Sequence, residues 1–551
     1  MRRLLFLAAA ACTHSHPPTE GLAALSTRVL TDLYHTAPAL PVSLGHHEYD
    51  GQLPDISPAG IAATVKTLRD DQQALEHAEP QTPLEREERD TLLVFVRANI
   101  FGFVDRDGLH KNPMAIMDAL NLDAYVIREY AEPAVRAAAL VKLCSQVPAY
   151  LEQARANLVL PAPKPWVETA VMQMKGMDDF ANKDVREAFP NPPADLGPAL
   201  DTCHTAFAAH AAWLEKQLPA ATDKFALGKE PFVRMIGESE GIHIDLARLD
   251  KIAHADLDRN TRAIEAAAHE IDPKRPVGDV VADVLKDRPT PDAVLAVAEK
   301  QATEMRQFLI DHHIVSVPGD DVALVRPTPP FARWNAASLS GVGPFEQKPL
   351  PSYYYISPPD PSWTPEVQAA YIPPTMTLLF TTIHEVYPGH FVNGIHLNRI
   401  HSRVEQSLWA YSTGEGWAHY TEEMMYDAGA GGHTPQAHIA QLCEALLRNV
   451  RFVVAIGEHT GGMSVADAET LFVTRAFVDP GNAKQQAMRG TFDPMYLAYT
   501  LGKLSIMKLR TDWMAKHPTA TLQEFHDAFL SHGAAPLPVI RRAMLDDDDV
   551  I

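Results

Sequence analysis

Apolar residues recur at helical spacing along most of this chain. Leu, Ala and charged residues follow that rhythm over residues 22–35, 59–76 and 83–98, which predicts three amphipathic helices. The same style continues over 112–158, with alanine-rich stretches. Proline clusters at Pro161 to Pro165 and Pro190 to Pro198, with Pro219, predict breaks. Residues 243–317 predict three or four more helices, including an alanine-rich run from His254 to His269. The rhythm then changes. Prolines crowd residues 321–363, and between them lie two β-like runs, Val322 to Val325 and Tyr353 to Ile356. The second predicts an edge strand; the alternative is a pair of structural strands in a long connector. Helices return from residue 374, and Asp546-Asp547-Asp548-Asp549 predicts a frayed, solvated tail. The pattern is that of a mainly α chain with a small β element. It divides into a helical scaffold over 22–320, a chemical region over 321–545 and an acidic tail over 546–551.

Chemistry concentrates after residue 374. Pro373-Pro374 provides a helix entry, and Met376, Leu379, Phe380, Ile383 and Tyr387 form an apolar stripe. At its edge stands His384-Glu385-Val386-Tyr387-Pro388-Gly389-His390. Two imidazoles and a carboxylate are the parts of a zinc hydrolase, but four residues is the usual helical spacing for two metal-binding histidines. Here the separation is six, which places the rings about 240° apart on a regular helix. One unbroken helix cannot turn both to one ion. Pro388 removes a donor and Gly389 tolerates unusual backbone, so the pair predicts a break that returns His390 to the side of His384. The competing reading is a helix end at Tyr387 with unrelated histidines.

A second cluster, Glu415-Gly416-Trp417-Ala418-His419-Tyr420-Thr421-Glu422, tips that balance. Glu415, His419 and Glu422 share a helical face. Thr413 is a candidate cap, and Gly414 and Gly416 permit close approach of another backbone. The expected site is His384, His390 and Glu415 as ligands of Zn²⁺, with His419 and Glu422 supporting them from behind. Exchange of Glu415 and Glu422 is the alternative. Glu385 is the expected general base, taking a proton from metal-activated water. Oxyanion donors are sought in Tyr499, His459 and Arg489, with His459-Thr460-Gly461-Gly462 read as a loop reaching the cleft. Arg489 or Arg510 is a candidate for a substrate carboxylate or, equally, for a structural ion pair.

The two clusters resemble those of the bacterial family catalogued as domain of unknown function 885, often described as lipoproteins. Its pattern, His-Glu-x-x-Pro-Gly-His followed by Glu-Gly-Trp-Ala-x-Tyr-x-Glu, is intact here. Asn393 departs from a glutamine common at that place in the family. Tyr499-x-x-Gly502, Leu509-Arg510, Phe525-His526 with Gly533, and Leu227-Gly228-Lys229-Glu230 resemble further family elements. The family is grouped with zincin metallopeptidases and resembles their largely helical carboxypeptidase and oligopeptidase branches. The resemblance therefore implies a large helical zincin-like metallopeptidase fold, zinc and a peptide or peptide-like substrate. It implies His384, His390 and Glu415 as ligands, Glu385 as base and Tyr499 as the best oxyanion donor. Zincin peptidases hold an extended substrate against a strand edge, the role expected of Tyr353 to Ile356. The alternatives are a hydrolase of non-peptide amides or esters and a non-catalytic metal-binding surface lipoprotein.

Composition narrows the partners. The 551 residues carry 48 basic and 70 acidic side chains and a formal charge of -22, which disfavours a nucleic-acid partner. Arg2-Arg3, an apolar run from Leu4 to Ala11 and Cys12 resemble a lipoprotein export signal, with residues 1–21 as leader and tether. The expected location is periplasmic or lipid-anchored at the bacterial envelope, with membrane contact only through lipid on Cys12. Cys144, Cys203 and Cys443 then remain, enough for one disulfide at most. No Gly-x-Ser-x-Gly element and no phosphate-binding glycine loop is present.

Overall fold

Hydroxyl caps and prolines start many of the helices. In the computed structural model, Ser57 accepts the Gly60 N–H ahead of Pro58, and Thr82 forms a capping box with Glu85 ahead of Pro83. Thr434 caps Pro435–Ile456 in the same way. Each device satisfies N–H groups that a helix start leaves open. The structure describes residues 21–329, 336–359 and 362–551. The export signal and Cys12 lie outside the described residues.

The chain is mainly helical with one small sheet. Leu22–Thr36, Pro58–His77 and Pro83–Ile100 are helices, as their periodicity predicts. The stretch 112–158 is not continuous: only Pro133–Asn157 is a long helix, and short turns fill the part before it. Pro113, Gly108 and Pro133 interrupt the alanine-rich rhythm there. Three helices occupy the 243–317 region, Leu246–Ile271, Val277–Val284 and Val294–Asp311. One apolar cluster runs from Leu25 to Leu214 and takes in Val404 and Leu408. A second joins residues from Phe232 to Val550 and holds the helices that carry the His-Glu motifs. Cys144 and Cys203 form a disulfide between Pro133–Asn157 and Leu196–Glu215, and Cys443 is free.

The sheet corrects the expected strand layout. β1 (Ala323–Pro327), β2 (Ala337–Ser340) and β3 (Ser352–Ile356) pair in the order β1-β3-β2. β3 is parallel to β1 and antiparallel to β2. Tyr353 to Ile356 is therefore the central strand, because Tyr354 and Ile356 are buried and need cover on both sides. Among the described residues the edges belong to β1 and to β2, whose Ala-Ser-Leu-Ser sequence has little β character. The Tyr354 hydroxyl meets Thr382 Oγ1 at 3.1 Å, which ties β3 to the helix Thr375–Glu385.

The acidic tail is pinned rather than frayed. Asp547 pairs with Arg541, Asp548 with Arg542 and Asp549 with Lys508, while Val550 is buried. Basic partners from two neighbouring helices neutralise the charge run. No described helix is long and apolar enough to cross a membrane.

Candidate metal centre

The six-residue spacing is resolved by a helix break. Thr375–Glu385 ends at Glu385, and a new helix, His390–Leu397, starts at His390. Tyr387–Pro388 is a cis bond between them. Gly389 donates its N–H to the Ile383 carbonyl at 2.9 Å. It packs so closely on His384 that a Cβ there would overlap the His384 carbonyl. Only glycine permits that fold-back. The second motif locks it: the Trp417 indole N–H donates to the Pro388 carbonyl at 2.9 Å, and Trp417 is fully buried.

Glu415 lies on Tyr411–Asp427. The helix starts after Ala410, so Thr413 is not its cap; its hydroxyl donates to the Ala535 carbonyl instead. Gly416 sits against Gly502 of Ala498–Lys516, where a Cβ would lie 2.6 Å from Gly502 backbone carbons. This crossing sets the depth of the Glu415 helix and brings Tyr499 alongside.

The result is convergence. His384, His390 and Glu415 offer ligand atoms all within 4.8 Å of one another. Glu415 Oε2 lies 3.5 Å from His384 Nε2 and 3.4 Å from His390 Nε2. Donors at about 2.1 Å from one tetrahedral ion stand roughly 3.4 Å apart. Both separations match that edge, and Glu415 Oε2 is buried with no hydrogen-bond partner. The residues therefore fit a metal ion.

Behind them the site is braced. His384 Nδ1 meets Glu422 Oε1 at 2.7 Å, a bond that holds a proton on Nδ1 and turns Nε2 toward Glu415. Glu422 thus lies on the far nitrogen of His384 and Glu415 on the near one. Glu422 also meets Arg448 at 3.1 Å and His419 Nδ1 at 3.4 Å. Burial alone would raise the Glu422 carboxyl, but Arg448 and the imidazoles hold it well below the usual range. Burial likewise opposes ionisation of Glu415, and His390 and His384 outweigh it. Burial would lower His384, yet its two carboxylate partners raise it to about 9. His419, fully buried, is pushed down to about 4 chiefly by burial. Two ionised carboxylates around His384 make the pocket one that favours a cation.

Glu385 points along the other side. Its Oε2 accepts the Leu339 N–H of β2 at 2.9 Å. Successive residues of an antiparallel strand turn their backbone groups to opposite sides. The Ala336 carbonyl pairs with Ser357, so Leu339, three residues on, turns its groups to the free edge. The carboxylate therefore stands beside the edge of β2 that no described strand pairs.

The remaining candidates separate. Tyr499 lies 6.4 Å from the His384 ring and meets Tyr411 edge-on at 5.7 Å. Arg489 is held by Asp493 at 2.9 Å and donates to the Tyr411 hydroxyl at 2.8 Å. His459 does not reach the cleft. It is buried in the turn Gly457–Gly461 that extends Pro435–Ile456. Its Nε2 donates to the Gly490 carbonyl at 2.8 Å, and its Nδ1 accepts the Leu227 N–H at 3.3 Å. The His-Thr-Gly-Gly stretch continued a helix instead of opening a loop. Arg510 donates to the Tyr420 hydroxyl at 2.9 Å, and Tyr420 in turn meets His526 at 2.8 Å. The late motif elements brace the second motif from outside the cleft.

Three groups were not singled out by the motifs: the Leu339 N–H, Arg448, and Arg451, whose guanidinium carbon stands 5.0 Å from the centre of the Tyr499 ring. The two arginines had a signal. They stand three apart in the run Leu446 to Ile456, apolar but for them and Asn449, where a charge implies a buried partner or ligand. The backbone donor had none.

Comparison with known proteins places the architecture. The fold matches a protein classed as a lipoprotein, of unknown function, from Shewanella oneidensis, with a TM-score of 0.80 at 22% identity over 96% of this chain and 100% of that one. It also matches one classed as a lipoprotein from Colwellia psychrerythraea, with a TM-score of 0.78 at 15% identity over 95% of this chain and 98% of that one. No curated protein matches the chain. The family model described as "Bacterial protein of unknown function (DUF885)" matches residues 38–544, nearly the whole length including both His-Glu motifs, and the chain belongs to that family.

Proposed function

We propose that this protein is an exported metal-dependent hydrolase that cleaves peptide bonds. The carrying observation is the pairing of two geometries. Glu415 Oε2 stands at tetrahedral separations from both imidazole nitrogens, and the Glu385 carboxylate is held at a strand edge that no described strand pairs. A site that only stored metal would gain nothing from that further carboxylate.

Residues His384, His390 and Glu415 would hold zinc, which when bound supplies Lewis acidity toward water and a substrate carbonyl. Glu385 accepts the proton from the attacking water and passes it to the leaving amine. The Leu339 N–H keeps that carboxylate aimed. The open edge of β2 pairs with extended backbone, which selects peptides by main chain rather than by side chain. The Tyr499 hydroxyl donates to the developing oxyanion. Arg489 positions Tyr411 against Tyr499 through the hydroxyl bond at 2.8 Å.

Export rests on two independent features. The Cys144–Cys203 disulfide suits an oxidising compartment, and the two structural neighbours are classed as lipoproteins. Lipid on Cys12 is the corresponding anchor.

The test is cleavage mapping by mass spectrometry on a mixed peptide library with zinc-loaded protein, beside small amides and esters, with Glu385→Gln as control. Peptide products that vanish in the variant support the reading. Turnover confined to small amides or esters assigns a non-peptide hydrolase. Zinc binding with no turnover of any substrate assigns a metal-binding lipoprotein.

A further inference from the structure

Arg451 is a charged side chain without a counter-charge. It projects from Pro435–Ile456 one helical turn beyond Arg448 and is only 7% exposed. Its Nε donates to the neutral Gln486 Oε1 at 2.8 Å. Among the described residues no carboxylate lies within ion-pair distance, unlike Arg448, which has Glu422 and Glu444, and Arg489, which has Asp493. Among the described residues its two terminal nitrogens have no hydrogen-bond partner, yet they are not among the sealed polar atoms of the interior. What exposure the residue retains includes them. Burying an uncompensated guanidinium is costly, and proteins keep such a group where a ligand supplies the anion. Nearby Arg489 and Arg448 add to the positive field around Arg451 rather than quench it.

Position connects this charge to the metal. The Arg451 guanidinium carbon lies 5.0 Å from the centre of the Tyr499 ring, and the His384 ring lies 6.4 Å from that same centre. Extended chain advances about 3.3–3.6 Å per residue, so this interval spans roughly three residues at most. The guanidinium fork matches a carboxylate in two parallel hydrogen bonds.

We propose that Arg451 forms a subsite for the free C-terminal carboxylate of a peptide whose scissile bond lies at the metal. This rests on the hydrolase reading above and deepens it: the substrates are short peptides cut within a few residues of a free C-terminus. The Tyr499 and Tyr411 rings wall the same space; Arg489 is neutralised by Asp493, and Arg510 is turned to the Tyr420 hydroxyl rather than to Tyr499.

The experiment separates the two readings. Binding of acetylated tripeptides is measured by calorimetry on zinc-loaded Glu385→Gln protein, which removes turnover from the readout. The tripeptides carry a C-terminal acid, a C-terminal amide, or an amide end with one aspartate side chain. The acid is expected to bind at least about 30-fold tighter than either amide, as for a desolvated charge pair. Adding Arg451→Met should reduce that ratio to below about threefold, with zinc stoichiometry unchanged, and Arg451→Lys should restore part of it. Equal binding of acid and amide overturns the proposal without any Arg451 variant. An acid preference that survives Arg451→Met overturns it by assigning the carboxylate to the metal. Tight binding of the aspartate amide overturns it in favour of a side-chain carboxylate. If no peptide is cleaved by the parent protein while the Arg451-dependent acid preference stands, the hydrolase reading fails and the subsite remains.

Discussion

Replacing Glu422 by Gln tests the metal centre from behind. The change keeps size and one oxygen but removes the charge. In the structure that charge serves His384 Nδ1 at 2.7 Å and Arg448 at 3.1 Å inside a fully buried pocket. Charge-assisted hydrogen bonds are roughly twice as strong as neutral ones, and an amide can also present its NH₂ to His384. The imidazole would then lose the partner that fixes its tautomer. Loss of such a support costs about 10–100-fold in metal affinity, or roughly 1.4–2.8 kcal/mol. Glu415→Gln should cost more, because it removes a donor that stands 3.5 and 3.4 Å from the two imidazole nitrogens. Arg448 keeps Glu444 at 2.8 Å in the Glu422 variant, so the fold should survive with a lowered melting temperature. Zinc affinity is read by competition with a chromophoric chelator, beside a melting curve for each variant. A Glu422→Gln affinity within about threefold of the parent refutes the bracing role. A smaller loss for Glu415→Gln than for Glu422→Gln refutes the ligand assignment, since the two carboxylates would then have exchanged roles.

Glu385→Gln should retain zinc while kcat falls by about 100-fold or more; near-normal turnover in a metal-loaded sample rejects the general-base role. Glu458 is buried with neither carboxyl oxygen hydrogen-bonded, and burial pushes it up to about 8. A raised carboxyl favours the folded state most below its unfolded pKa near 4.3 and loses that contribution as pH rises through 8, about 3 kcal/mol between pH 5 and 8. Denaturant midpoints should fall over that window, and Glu458→Gln should flatten the fall; an unchanged slope contradicts it. Gly416→Ala places a Cβ 2.6 Å from Gly502 backbone carbons and should cost about 1–3 kcal/mol in a urea melt, with a wild-type midpoint as the opposing result.

Much of the fold was legible because its signals are local. The helices at 22–36, 58–77 and 83–100 carry the periodicity, and the last two carry caps as well, so pattern and structure agree. The candidate metal residues were legible for another reason: such chemistry demands His and Glu in one place, and Pro388-Gly389 announces the break that brings them together. The errors share a cause, the dependence of a residue on distant partners. β2 is a strand because β3 supplies its hydrogen bonds, while Ser338 and Ser340 carry little preference of their own. His459 resembled a loop residue until Gly490 and Leu227 took both ring nitrogens. The acidic tail resembled a solvated end until Arg541, Arg542 and Lys508 met it.

The two motifs depend on each other, and that explains their length. A pair of histidines six apart can face one ion only if the backbone folds back over His384. Gly389 permits this fold-back, but it leaves the Pro388 carbonyl turned into the protein. An orphan carbonyl there would cost a hydrogen bond in a dry interior. Trp417 supplies the donor from the second motif, two residues after Glu415. Trp417 can reach only because Gly416 lets its helix settle onto Gly502. The glycine, the indole and the proline carbonyl therefore act as one device that brings Glu415 to the histidines. Substituting any one shifts the carboxylate relative to the two rings, so the Glu-Gly-Trp sequence serves metal geometry as directly as the ligands do.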